Sequence, residues 1–126
     1  MKKNLLFLTL TALMLFTIAC SKASKEDTLE TLLSSSTETY RINFFYDVYD
    51  KDYSNDLTSY WNSDEKLLDH IEIQVYNVKR EDKKEVADIM EIHEYPYYLV
   101  TDNKSIVLST RNFQDVEKYF QSIFRN

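Results

Sequence analysis

The sequence predicts an α/β fold, three layers deep around a mixed sheet, and three observations lead there. Beyond residue 40 the apolar period switches between two and 3.6 in the order strand, helix, strand, helix, strand, strand, helix. The strands at 42–48 and 71–78 are separated by a helical stretch long enough for a crossover, which implies a βαβ unit with a parallel pair. The last two strands are joined only by Asp102-Asn103-Lys104 and read as an antiparallel hairpin. Finally, a chain of 126 residues without a glycine spends its one proline, Pro96, in "EIHEYPYYLV", where a helical pattern gives way to a strand.

Before these elements comes Met1-Lys2-Lys3-Asn4, a short basic region, then the mostly apolar run Leu5 to Ile18 and Ala19-Cys20-Ser21-Lys22. The run is too short for a comfortable membrane span and has the basic start, apolar middle and small-residue end of a secretory signal. "TIAC" resembles the lipobox of bacterial lipoproteins, with Thr17 standing where leucine is commoner. The resemblance implies a signal peptide over residues 1–19, a diacylglyceryl group on Cys20, and a mature chain held on the extracytoplasmic face of the cell membrane. Two acyl chains, at about 0.8 kcal/mol per buried methylene, contribute on the order of 20 kcal/mol of anchoring. Residues 20–39, polar and rich in Ser, Thr, Lys and Glu, read as the lipidated cysteine and a tether. Leu29, Leu32 and Leu33 allow a short helix there, either the first of the domain or a piece of the tether.

The formal charge is −6, and losing Lys2 and Lys3 with the signal takes it to −8. Such a surface repels phosphate backbones, so nucleic acid is not an expected partner. Cys20 is the sole cysteine, so no disulfide within the chain can staple a core near the lower size limit. Stability is expected from packing, to which the ten tyrosines and the phenylalanines bring large apolar areas.

Each element of the 40–126 domain has its own signature. "RINFFYDV" alternates Ile42, Phe44, Tyr46 and Val48 against Asn43, Phe45 and Asp47, a strand. Leu57, Tyr60, Trp61, Leu67 and Leu68 give a helical stretch over 54–70, with a break near Asn62-Ser63. "IEIQVYNV" alternates from Ile71 to Val78. In "DKKEVADIMEIH", Val86, Ile89, Met90 and His93 fall on one helical stripe. "YYLVT" and "SIVLS" form the hairpin, where Asn103 is the best residue available for a left-handed turn. Asn112, with Asp115 three residues on, caps a last helix whose Val116, Tyr119, Phe120, Ile123 and Phe124 share a face.

This element order resembles the thioredoxin fold, most closely in "IMEIHEYPYYLVTDNKSIVLSTRNFQDVEKYF", residues 89 to 120. The resemblance implies that Pro96 is the family's cis-proline at a strand start. It also exposes a departure. Aligning "INFFYDVYDKDYSND" without gaps puts Tyr49 and Asp52 where redox-active members carry their two cysteines, with Asp50 and Lys51 between, and neither side chain exchanges disulfides. Asn43 lies where many redox members keep a buried acid. No catalytic residue and no cofactor are therefore expected, and the chain reads as a non-enzyme.

Other chemistries find little support. A chain without glycine has no phosphate-cradling loop, and zinc-ligand spacing is missing. His93, on an apolar stripe, is expected to be a partly buried core histidine. "DKDYSND" places Asp50, Asp52, Ser54 and Asp56 at the first ligand positions of an EF-hand loop. Asn55 holds the glycine position and Trp61 that of the bidentate glutamate, so no metal site is assigned and a solvated acidic helix start is preferred.

Two function classes follow. One is a redox-inactive, thioredoxin-like lipoprotein that binds a peptide or envelope protein beside Tyr95 and Pro96, facing Tyr49, Asp50, Lys51 and Asp52. The other is a small α+β lipoprotein, for example cystatin-like, with a structural, inhibitory or immunity role. Strand order separates them: the first needs a mixed sheet, the second a wholly antiparallel one.

Overall fold

A computed structural model describes residues 23–48 and 51–125. The signal peptide expected over residues 1–19, Cys20, Tyr49 and Asp50 lie outside them. The described residues form nine elements in order: α1 (Lys25–Leu32), β1 (Tyr40–Tyr46), α2 (Lys51–Trp61), α3 (Glu65–His70), β2 (Ile71–Asn77), α4 (Glu81–Ile89), β3 (Tyr97–Thr101), β4 (Ile106–Thr110) and α5 (Phe113–Phe124).

The sheet order is β2-β1-β3-β4. β1 pairs with β2 in parallel, Tyr40 opposite Ile71 through Tyr46 opposite Asn77, and with β3 antiparallel, Phe45 opposite Tyr97. The parallel pair removes the wholly antiparallel cystatin-like alternative. β1 is flanked by strands on both sides and covered on both faces. Its run Ile42, Asn43, Phe44, Phe45 is accordingly buried throughout, although its sequence alternates in type.

One face of the sheet packs Ile42, Phe44, Ile71, Tyr98 and Val100 against Leu57 of α2, Leu67 of α3, and Val116 and Phe120 of α5. The other packs Phe45, Tyr76 and Leu99 against Leu32 of α1 and Ala87 of α4. Each fully buried large apolar side chain contributes about 1.5–3 kcal/mol. The break between α2 and α3 falls where the sequence placed it: Asn62 and Ser63 close α2 onto the Thr58 and Tyr60 carbonyls, and the Asp64 carboxylate caps α3 by accepting from Lys66 N–H at 2.9 Å.

Three expectations are corrected. The segment 20–39 is not tether throughout: from Ser24, whose hydroxyl accepts the Asp27 N–H at 3.1 Å, the chain folds onto the domain, because Leu29 and Leu32 bury their stripe against α4. His93 lies past the end of α4, with its side chain 68% exposed, since the helix stops at Ile89 and the stripe is never completed. The hairpin does not use a left-handed Asn103. The Asp102 carboxylate shapes the turn instead, accepting from the N–H groups of Lys104 and Ser105, each at 2.7 Å. The single positive φ among the described residues is at Glu91, 60°. There Ile92 N–H donates to Ala87 O at 2.8 Å and Glu91 N–H to Asp88 O at 3.1 Å, a Schellman termination of α4 with glutamate in the position glycine usually fills.

"DKDYSND" runs into a helix, the start preferred for it from the sequence. Residues 51–61 are helical, so Asp52, Ser54 and Asp56 point around a helix instead of converging: the two aspartates are exposed while Ser54 turns toward the sheet. Asn112 caps α5 as expected, its Oδ1 accepting from Gln114 N–H at 3.0 Å, while Asp115 accepts from the Thr110 hydroxyl at 2.6 Å.

Candidate functional site

The register of Phe45 opposite Tyr97 brings the exit of β1 to the start of β3. The Tyr95–Pro96 peptide bond is cis, and both residues are half-buried. The Tyr95 hydroxyl donates to Ile92 O at 3.0 Å. Burial raises its phenol above the usual range, and the carboxylates of Asp88 and Asp47 push the same way against the opposing charge of Lys84. Asp47 thus brings the β1 exit within electrostatic reach of Tyr95. The Tyr95 carbonyl is not open: Arg111 donates to it at 2.9 Å through one guanidinium nitrogen and to the Glu94 carboxylate at 3.3 Å through the other.

Of the residues expected to line this site, Tyr95 and Pro96 stand at the start of β3 and Asp52 is exposed in the first turn of α2. Lys51 opens α2. Tyr49 and Asp50 lie outside the described residues. Tyr97 packs half-buried toward the α4 side, and Tyr98 points the opposite way into the core.

Beneath the site sits Asn43, fully buried, whose Nδ2 donates to Leu32 O at 2.9 Å and to Leu99 O at 3.1 Å. An amide there holds strands and α1 together and cannot exchange a proton near neutral pH. Its Oδ1 and the Tyr98 hydroxyl have no hydrogen-bond partner among the described residues. Burial, with smaller contributions from Tyr53 and Asp56, pushes the Tyr98 phenol up to about 12. Among the described residues no three His, Cys, Asp or Glu side chains come together as metal ligands do.

Sequence reasoning missed an apolar cavity of about 250 Å³ between α2 and the outer half of the sheet, lined by Phe44, Tyr46, Val48, Trp61, Ile73 and Val75 among others. Val48 is 62% and Val75 45% exposed. The signal was present in "IEIQVYNV": an alternating strand whose Ile73 and Val75 face α2, with no further strand among the described residues to cover their flank.

The parallel and antiparallel pairings, the helices on both faces and the cis-proline at the start of β3 define a thioredoxin-like fold. Thioredoxin f2 of Chlamydomonas reinhardtii superposes with a TM-score of 0.60 at 16% identity, over 82% of this chain and 95% of the other. No protein-family model matches the chain, and no curated protein matches it in sequence.

Proposed function

We propose that this chain is a membrane-anchored, thiol-free thioredoxin-like module that holds a peptide or envelope protein and performs no redox chemistry. One observation carries the reading. The only cysteine, Cys20, precedes the folded domain and ends a lipobox-like stretch, while the ungapped alignment puts Tyr49 and Asp52 in place of the redox pair. A thiolate is the nucleophile of every disulfide exchange, so a domain without a thiol has nothing to cycle. The amide of Asn43 in place of a buried acid supports the same reading.

The partner surface in this reading is Tyr95 and Pro96 with Tyr49, Asp50, Lys51 and Asp52 opposite. Tyr95 supplies an amphipathic ring, and an extended segment pairing with its backbone displaces Arg111 from the Tyr95 carbonyl. The anchor in this reading is Cys20.

Three experiments test it. Cys20→Ala should leave the precursor unlipidated and change its membrane fractionation; an unchanged fraction and mature N-terminus would reject the anchor. The domain from residue 21 onward should not accelerate dithiothreitol reduction of a model disulfide, and measurable turnover would reject the non-enzyme reading. For the surface, Tyr95→Ala should weaken capture of a membrane partner that the wild-type chain retains.

A further inference from the structure

β2 lies at the edge of the sheet, and the direction of its backbone groups follows from one bond. Val78 N–H donates to Tyr46 O at 3.0 Å, so the even-numbered residues of this strand turn their backbone toward β1 and the odd-numbered ones turn it outward. Ile71 O is taken by the Trp61 indole at 3.0 Å and Asn77 O by Arg80 N–H at 3.0 Å. The outward groups of Ile73 and Val75 have no partner among the described residues. Proteins usually blunt such an edge with lysine, proline or a bulge. β2 has none of these: its one charge, Glu72, points to the opposite face and is engaged by Arg41 at 2.8 Å.

The side chains of Ile73 and Val75 flank the apolar cavity, whose rim includes the exposed Val48. Backbone groups awaiting a strand and a cleft for alternate apolar side chains therefore occur together. The charge around them is mainly acidic: the cavity lining carries none, and of the exposed charges within two residues of a lining or edge residue, Asp47, Asp56 and Asp69 are acidic while Lys79 stands at the exit of β2.

We propose that the outer edge of β2 takes an extended segment of a partner protein as an added strand. That segment carries apolar side chains at alternate positions, which enter the cleft between β2 and α2, and Lys or Arg at its ends. A second copy of this chain fits less well, because two chains of charge −6 repel. The surface is distinct from Tyr95 and Pro96, which lie on the far side of β1.

The probe is a short blocked peptide alternating valine with threonine, with lysine at each end, titrated into the full chain in detergent micelles and followed by amide chemical shifts. Shifts should centre on Ile73, Val75, Val48 and the Trp61 indole. N-methylating the peptide amides that face β2 should weaken binding about tenfold by removing two hydrogen bonds, while methylating the alternate amides should not. Glutamate ends should weaken it severalfold, a difference that shrinks in high salt. Val75→Pro removes one outward N–H without touching the β1 ladder and should abolish binding with the melting temperature nearly kept. Equal effects of the two methylation patterns, equal binding of the glutamate-ended peptide, or no binding at all would overturn the proposal. Concentration-dependent dimers that Val75→Pro dissolves would overturn it in favour of a second copy. Shifts confined to Tyr95 and Arg111 would overturn it while supporting the other surface.

Discussion

Asn43 and Leu32 are joined across two layers of the fold, the buried amide Nδ2 of the central strand donating to the last carbonyl of α1 at 2.9 Å. The Thr101 hydroxyl donates to the same oxygen at 2.6 Å. A helix end that would otherwise bury an unsatisfied carbonyl is thereby tied to β1 and β3 at once. This is why α1 belongs to the domain.

The amide's donor role predicts what an acid would do. In Asn43→Asp the donating nitrogen becomes an oxygen facing the Leu32 and Leu99 carbonyls, a position only a protonated carboxyl can occupy. Its folded pKa rises above the unfolded value of about 4, so stability present at lower pH is lost as pH rises through the folded pKa. Denaturant midpoints should fall markedly between pH 4 and pH 8 in the variant relative to wild type. Parallel profiles would show that the site accepts a charge.

Tyr98→Phe should leave stability unchanged or raise it by about 1 kcal/mol, since it removes a buried hydroxyl without a partner among the described residues. The wild-type phenol, near 12 when folded against about 10 unfolded, keeps its proton in the folded state while the unfolded chain loses it. Wild-type stability should therefore drop as pH climbs from 10 to 12, and that drop should be shallower in the variant. A loss of 2 kcal/mol or more at neutral pH, an estimate beyond the usual net worth of one hydrogen bond, would mean that the hydroxyl has a partner.

Much of the fold was legible because period and length decide element type: "IEIQVYNV" admits only a strand, and the spacing between it and β1 only a crossover. What misled were devices that act across the chain. Leucines at 29 and 32 look alike on a tether and on a packed helix, and only contact with Ala87 and Met90 decides. His93 completed a stripe on paper, but α4 stops at Ile89, a termination the sequence does not signal without glycine. The Tyr95 and Pro96 half of the candidate site was readable from one proline. The guanidinium over the Tyr95 carbonyl was not, because Arg111 is distant in sequence and ordinary in type.

Glu91 pays the steric cost of a left-handed backbone where glycine would pay none. Glu91→Gly should stabilise the domain by up to about 1 kcal/mol, even though it removes an exposed ion pair with Lys25 at 2.8 Å that is worth little in water. Thermal and denaturant midpoints should both move up. Glu91→Ala, which loses the ion pair without gaining the glycine's freedom, should not follow. A destabilised Glu91→Gly would show that the Lys25 pair outweighs the backbone term.

Glu72 and Arg41 face each other across β1 and β2 and fasten the connection from α1. The Glu72 carboxylate accepts from Arg41 at 2.9 Å and from Ser35 and Thr39, while Arg41 also donates to Thr31 O at 3.1 Å. Partial burial pushes the Glu72 carboxyl up, but the hydrogen bonds from Ser35 and Arg41 outweigh it and hold the group below the usual glutamate range. A carboxyl lowered on folding adds stability above its unfolded pKa of about 4.3 and loses it as pH falls through the lower folded value. Glu72→Gln should therefore cost stability at pH 7, on the order of 1 kcal/mol because the pair is about a quarter exposed, and should flatten the loss seen below pH 4. Hydrogen exchange of the amides between Leu33 and Arg41 should quicken in the variant while that of β3 stays slow. An unchanged acid limb together with unchanged exchange in that connection would assign the low-pH loss to other carboxylates.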